Sequence, residues 1–238
     1  MPTLSPPVGF QDSRAITGQD ANTRTATEAI KIAVVEDDER MLQALIFQLG
    51  TAGFQVAAYA SAEQFFKASA TKEFDCVVAD ICLARMSGLQ LQEELSRRAS
   101  NASIVFITGR GNLSIGVQAM RAGAVDVLEK PLDDKVLLTA IKRGVQRSRA
   151  GRAERAERLD IERRFSSLPV RQREVFTLIT AGLLNKQVAA ELGISERTVK
   201  VHRERLRRKM GADSPAELAR MAGVLQIHLP RAPSASPK

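Results

Sequence analysis

From Lys31 onward the chain alternates short apolar runs with amphipathic stretches of roughly ten residues. The runs are Ile32–Val35, Phe54–Ala57, Cys76–Ala79, Ile104–Ile107 and Val125–Leu128. Three of the five are almost continuously apolar, as strands covered on both faces must be, and the stretches between them carry a helical period. Residues 31–143 are therefore expected to form an α/β domain, a doubly wound five-stranded parallel sheet with strand order 2-1-3-4-5 and reactive groups at the carboxyl ends of its strands. From Leu168 to Met221 the period is helical throughout, broken at Gly182, at Gly193-Ile194-Ser195 and at Gly211-Ala212-Asp213-Ser214-Pro215. Four short helices are predicted there, a small all-α domain over residues 166–224. Residues 144–165, rich in Ala, Glu and Arg, read as a solvated helical linker with Glu154–Arg158 as an i,i+4 pair and Gly151 as its weak point.

Outside these segments, residues 1–30 show almost no aliphatic period and are expected to be a flexible extension, and residues 225–238 a flexible tail. The longest uncharged run, Met41 to Ala62, is interrupted by glutamine and glycine and reads as a helix followed by a strand, so no membrane contact is expected. Two cysteines, Cys76 and Cys82, and two histidines, His202 and His228, are too few for a Cys/His zinc site or a disulfide scaffold. Cys76 has the parity of a core residue. With no secretory signal pattern, the chain reads as cytoplasmic.

Charge divides the chain further. Residues 31–143 carry 13 basic against 14 acidic side chains, and residues 166–224 carry 11 against 6. The positive excess lies in the second half, which suggests one domain that accepts cations and another that meets a polyanion. In the first domain Asp37 and Asp38 follow the first strand and Asp80 ends the third, its neighbour in the predicted order. Three acids in one place repel one another unless a cation joins them, and hard oxygen ligands suit Mg2+. Strand four ends in Thr108 and strand five runs into Lys130-Pro131. A hydroxyl, an ammonium and a magnesium ion around one carboxylate are what phosphoryl transfer onto that carboxylate requires.

Val34-Val35-Glu36-Asp37-Asp38, Val78-Ala79-Asp80-Ile81-Cys82-Leu83 with Ser87-Gly88, Phe106-Ile107-Thr108-Gly109 and Gly123-Ala124-Val125-Asp126-Val127-Leu128-Glu129-Lys130-Pro131 resemble the receiver domain of two-component response regulators. The resemblance implies a flavodoxin/CheY-like fold with Asp80 as phospho-acceptor, and Asp37, Asp38, Asp80 and the backbone carbonyl of Cys82 around Mg2+. It further implies Thr108 as switch hydroxyl, Lys130 as phosphoryl partner and a cis Lys130-Pro131 bond. Two positions depart from that pattern: Ala84 stands where the family commonly has proline, and Val127 where it has an aromatic switch residue.

In the second domain, Val188 to His202 reads as helix, glycine turn and a second helix opened by Ser195, the helix-turn-helix pattern. Val199, His202, Leu206 and Met210 form the second helix's core stripe, with basic residues opposite, as a helix in a major groove requires. Arg173-Glu174-Val175, Ala181-Gly182-Leu183-Leu184-Asn185-Lys186, Leu192-Gly193-Ile194-Ser195, Arg197-Thr198-Val199-Lys200-Val201-His202 and Lys209-Met210-Gly211 resemble the LuxR-type helix-turn-helix. Together the two resemblances are those of a FixJ/NarL-type response regulator. By that likeness Lys200, Val201 and Glu204 read bases, while Lys186, Thr198, Arg203 and Arg207 hold phosphates; His202 faces the core or a phosphate.

The expected function is a transcription regulator, not an enzyme, whose phosphorylation on Asp80 by a sensor histidine kinase controls binding to double-stranded DNA. The active form is expected to be a homodimer, with RNA polymerase a further candidate partner. One rival is a Mg-dependent phosphotransferase or phosphatase working through an aspartyl-phosphate, against which the adjacent acids lack Asp-x-Asp spacing. Another is a DNA-binding regulator independent of phosphorylation, motivated by Ala84 and Val127.

Overall fold

The structure, a computed structural model, describes residues 29–69, 73–109 and 113–227. Most of the expected N-terminal extension, most of the expected tail, and His228 lie outside the described residues. Five strands, β1 (Lys31–Val35), β2 (Gln55–Tyr59), β3 (Cys76–Asp80), β4 (Ser103–Thr108) and β5 (Asp126–Glu129), form one parallel sheet in the order β2-β1-β3-β4-β5. The central strands β1, β3 and β4 are buried along nearly their whole length, whereas β2 and β5 are the half-exposed edges. This is why three of the five runs are almost purely apolar and the other two are mixed.

Helices α1 (Glu39–Thr51) and α5 (Asp134–Ser166) cover one face of the sheet, with Leu42, Leu45, Leu49, Leu137, Ala140, Ile141 and Val145 packed on Ile32, Val34, Val78 and Val105. Helices α2 (Ala62–Ser69), α3 (Gly88–Arg97) and α4 (Leu113–Arg121) cover the other, where Phe65, Phe66, Leu91, Leu95 and Ala119 meet Ala33, Val77 and Phe106. The chain thus winds outward from β1 in both directions, α1 on one face and α2, α3 and α4 on the other, while all strand carboxyl ends stay at one edge.

The expected linker is not a separate element. α5 is one continuous 33-residue helix, running from its Asp133 cap through 143 and 144 without a break. Nor is it a simple solvated spacer: Gly144, Val145, Ser148 and Ile161 are buried. Arg152 bonds the buried Asp75 carboxylate and the Phe74 carbonyl, and Arg155 Nη1 donates to the Ala99 carbonyl at 3.1 Å. Arg158 pairs with Glu162 at 2.8 Å rather than with Glu154. The far end of α5 enters a third core, where Ile161 and Phe165 pack with α6 (Val170–Thr180), α7 (Asn185–Leu192), α8 (Glu196–Met210) and α9 (Pro215–Val224).

Candidate functional sites

At the carboxyl edge of the sheet, β1 delivers Glu36 and Asp37, β3 ends in Asp80, β4 in Thr108, and β5 leads into Lys130. Carboxylate oxygens of Glu36, Asp37 and Asp80 lie within 4.8 Å of one another. Lys130 Nζ lies 2.7 Å from Asp80 Oδ2 and 3.0 Å from Glu36 Oε2. Glu36 and Asp80 are both buried. Burial pushes the Glu36 carboxyl above its ordinary range, reinforced by the Asp80 charge and opposed by Lys130. Burial opposes the Lys130 charge, but hydrogen bonds to Asp80 and Glu36 outweigh it and hold its pKa above the usual lysine value. With all three acids ionised, one ammonium leaves the cluster short of two positive charges, a deficit that a divalent cation with oxygen ligands would meet.

One expected carboxylate does not join the cluster. Asp38 lies outside it; its exposed carboxylate accepts from the Met41 amide at 3.0 Å and caps α1, and that bond depresses its pKa. Glu36, which the sequence reading assigned no role, stands in the cluster instead. The signal was available: strand β1 ends at Val35, so the first two residues past it are Glu36 and Asp37, and the third already turns into a helix. Cys82 meets the site through its backbone, its amide donating to Asp80 Oδ1 at 2.7 Å.

The loop after β3 is fastened by the Ala84 amide, which donates to Asp37 Oδ2 at 3.2 Å, and by the Gly88 amide, which donates to the Ile81 carbonyl at 2.9 Å. A Cβ at Gly88 would come within 2.8 Å of the Asp80 carbonyl oxygen and of the Phe106 ring. Only glycine lets α3 start this close beneath Asp80. Thr108 is buried, with Oγ1 donating to the Gly109 carbonyl at 3.2 Å. Val127 is half-buried against the small residue Gly116 of α4. Cys76 is buried against Gly144, and burial pushes its thiol up to about 12, which leaves it inert. The Lys130-Pro131 bond is cis.

In the helical part, α7 ends at Gly193 in the left-handed region, φ 63°, and Ser195 Oγ then caps α8 by accepting the Thr198 amide at 3.1 Å. Val199, Leu206 and Met210 of α8 are buried and His202 is half-buried. Lys186, Lys200, Val201 and Glu204 are exposed, and so are Arg197, Arg205 and Arg208. The expected phosphate ligands differ in how free they are. Arg203 Nη1 donates to Asn185 Oδ1 at 2.7 Å, tying α8 to the start of α7, and Arg207 Nη1 donates to the Asp213 carbonyl at 3.2 Å. Thr198 Oγ1 is 2.9 Å from Ser195 Oγ. Glu204 lies 3.6 Å from Arg207 and 3.7 Å from Arg208.

A parallel sheet with an acid cluster and a lysine at its carboxyl edge, followed by a capped helix-turn-helix with a basic exposed face, defines a receiver joined to a DNA-binding domain. The response regulator receiver domain family matches residues 32–142, and the luxR family of bacterial regulatory proteins matches residues 166–222. The chain belongs to the response regulators that combine these two units, the FixJ type, a family of DNA-binding transcription regulators. It is 40% identical to nodulation protein W of Bradyrhizobium diazoefficiens, over 88% of this chain and 92% of that one. It is 38% identical to the transcriptional regulatory protein FixJ of Azorhizobium caulinodans, over 82% of this chain and 92% of that one. Among solved structures, the response regulator StyR superposes with a TM-score of 0.72 at 38% identity, covering 82% of this chain and 98% of that one. Full-length FixJ from B. japonicum gives 0.52 at 36% identity, covering 83% and 97%. Among the described residues no helix is long and apolar enough to cross a membrane.

Proposed function

We propose that a sensor histidine kinase phosphorylates Asp80 and that this modification controls how α8 engages double-stranded DNA. The observation that supports the reading best is Asp80 itself: a buried carboxylate with one oxygen on Lys130 Nζ and the other on the Cys82 amide, in a cluster of acids. Glu36, Asp37 and Asp80, with the Cys82 carbonyl, are the residues that would hold Mg2+, which when bound offsets charge on the incoming phosphoryl group. An Asp80 oxygen attacks phosphorus in line with the departing group. Lys130 then pairs with the phosphoryl oxygens, and the Thr108 hydroxyl turns to donate to one of them. The chain's own chemistry ends at its own modification; turnover of external phosphate esters is not its task. Residues 31–143 act as receiver, 166–224 as DNA-binding domain, and 144–165 join them as part of α5. Dimerisation, contact with RNA polymerase and a cytoplasmic setting complete the reading.

In the DNA-binding domain Lys200, Val201 and Glu204 are the base readers, and Lys186, Thr198, Arg203 and Arg207 face the backbone, the last two already braced against Asn185 and Asp213. The test is DNA binding and oligomeric mass before and after treatment with a small phosphodonor and Mg2+. Phosphorylation should raise both, and Asp80→Asn should abolish acid-labile phosphate incorporation because an amide cannot form the mixed anhydride. Undiminished incorporation into Asp80→Asn would overturn the acceptor assignment. Identical binding with and without donor would favour instead a regulator independent of phosphorylation, the reading motivated by Val127.

A further inference from the structure

α8 ends where α5 ends, and one side chain joins them. The Arg208 and Arg207 carbonyls of the last turn are closed by the amides of Gly211 and Ala212 at 3.2 and 3.1 Å. This is the usual left-handed glycine closure, with Gly211 at φ 66°. The Met210 carbonyl is taken by a different group: Arg164 Nη1, from the last turn of α5, donates to it at 2.8 Å. Asp160, one turn earlier on α5, holds the same guanidinium through Nη2 at 2.7 Å. Arg164 lies between Ile161, buried in the core that α5 shares with α8, and Phe165, whose ring meets Phe176 edge-on at 5.2 Å between centroids. Gly211 therefore has two reasons to be glycine. Its backbone is left-handed, and a Cβ there would fall on Arg164 Nη1 and within 3.4 Å of Cζ.

We infer that Arg164 is a positioning residue for the recognition helix: it fixes the C-terminal end of α8 to the helix that begins in the receiver, and so sets how α8 is presented to DNA. The inference rests on the reading of α8 as the base-reading helix. A cation on a carbonyl at a helix C-terminus is also favoured by the helix dipole, and a guanidinium already held by Asp160 donates with little further loss of freedom. Because α5 is unbroken from Asp134 to Ser166, the contact ties the α8 end to the same rigid element that packs on β3 and β4. Arg164 would touch no base and no phosphate; its effect passes through α8.

The experiment uses the full chain and a duplex enriched from a random-sequence pool by the unsubstituted protein, with a scrambled duplex as control. Affinity is measured over a range of salt, well below the melting temperature of each variant. Arg164→Ala should weaken binding to the enriched duplex by about tenfold, the scale of one charge-assisted hydrogen bond. Binding to the scrambled duplex and the salt slope should stay the same. Arg164→Lys, which can still donate to Met210, should recover most of the loss. Gly211→Asn, tolerable in the left-handed region but bearing the Cβ that displaces the guanidinium, should reproduce Arg164→Ala. A role confined to stability would lower the melting temperature and leave affinity unchanged, which overturns the inference. A salt slope smaller by about one unit, with equal losses on both duplexes, overturns it too, because Arg164 would then be a direct phosphate ligand. If Arg164→Ala fails to fold, Gly211→Asn and Arg164→Lys decide: unsubstituted affinity in a folded Gly211→Asn overturns the inference. If the unsubstituted protein enriches no duplex, the DNA-binding reading fails first, and the inference with it.

Discussion

Asp37 and Asp38 are neighbours in sequence and opposites in use, because a strand end and a helix start meet between them. Asp37 accepts from Ala84 across the site, whereas Asp38 is spent on the first turn of α1. Asp38→Ala should therefore lower the melting temperature slightly, through the loss of one helix cap, and leave Mg2+ affinity nearly unchanged in a calorimetric titration. Glu36→Gln should do the reverse. Its raised pKa means the fold disfavours the charged form, so the neutral isostere should equal or exceed the parent in stability at neutral pH without metal, while Mg2+ binding weakens roughly tenfold or more. The sign fixes the pH dependence. A carboxyl raised above its unfolded value stabilises the fold when protonated, fully so below its ordinary 4.5, and this contribution is lost as pH rises through the raised value. Proton competition for Mg2+ should consequently begin above pH 4.5 and disappear in Glu36→Gln. A stability loss in Glu36→Gln that matches Asp38→Ala would show that Glu36 is merely structural.

Among the elements, α5 is the one whose length a local period could not predict. Its 33 residues change neighbours twice, from the sheet to the receiver's lower edge to the helical core, so no single apolar stripe runs along it. Only the contacts show that Arg149, Arg152 and Arg155 are bound to the receiver rather than solvated. The sheet was legible for the opposite reason: burial on both faces writes a strand's position and its central or edge status directly into its apolarity. The placement of Asp80, Lys130 and Thr108 at one edge was legible because strand ends put them there. The Glu36–Asp38 shift was missed because a boundary error of one residue is invisible to pattern and decisive for a carboxylate. Two glycines of α5 test its packing with opposite signs. At Gly144 a Cβ would lie 3.0 Å from Cys76 Sγ and 3.4 Å from Ser103 Cβ, so Gly144→Ala should destabilise by about 1–3 kcal/mol. At Gly151 nothing lies within 4 Å, so Gly151→Ala should stabilise by about 0.5–1 kcal/mol. Chemical denaturation of both variants checks the pair, and stabilisation by Gly144→Ala would contradict the close contact with β3. Asp75 is held below the ordinary carboxylate range: burial works against its charge, but the Lys31 amide and the Arg152 and Arg149 guanidinia outweigh it. Its contribution is present above the unfolded value of 3.8 and is lost as pH falls through the depressed one. Asp75→Asn should cost about 2 kcal/mol at pH 7, a buried-pair loss discounted for partly exposed arginines, and should flatten the acid limb of the stability profile.

At the scale of the whole molecule, a near-neutral receiver is joined to a basic DNA-binding domain by a helix about 50 Å long. On the proposed reading, communication along that route begins at Thr108, and this chain has Val127 in place of the large ring that would report the threonine's movement. Val127 is half-buried, packs with the core formed by α2, α3 and α4, and lies next to Gly116. A small, β-branched side chain has few rotamers and little area to bury or expose. The inactive and active states therefore differ less in buried apolar surface here than they would with an aromatic at position 127. Phosphorylation should shift the equilibrium by about 1–3 kcal/mol, the usual span of coupling energies, and the unmodified chain should bind DNA measurably. Dimer affinity by sedimentation, with and without phosphodonor, measures the shift directly. Val127→Tyr should enlarge it if Gly116 leaves room for the ring to pack inward, and Val127→Tyr with Gly116→Val should remove that gain by filling the space. A shift near four orders of magnitude in the unsubstituted chain, roughly 5.5 kcal/mol, would show that strong switching needs no aromatic at 127 and would overturn the argument.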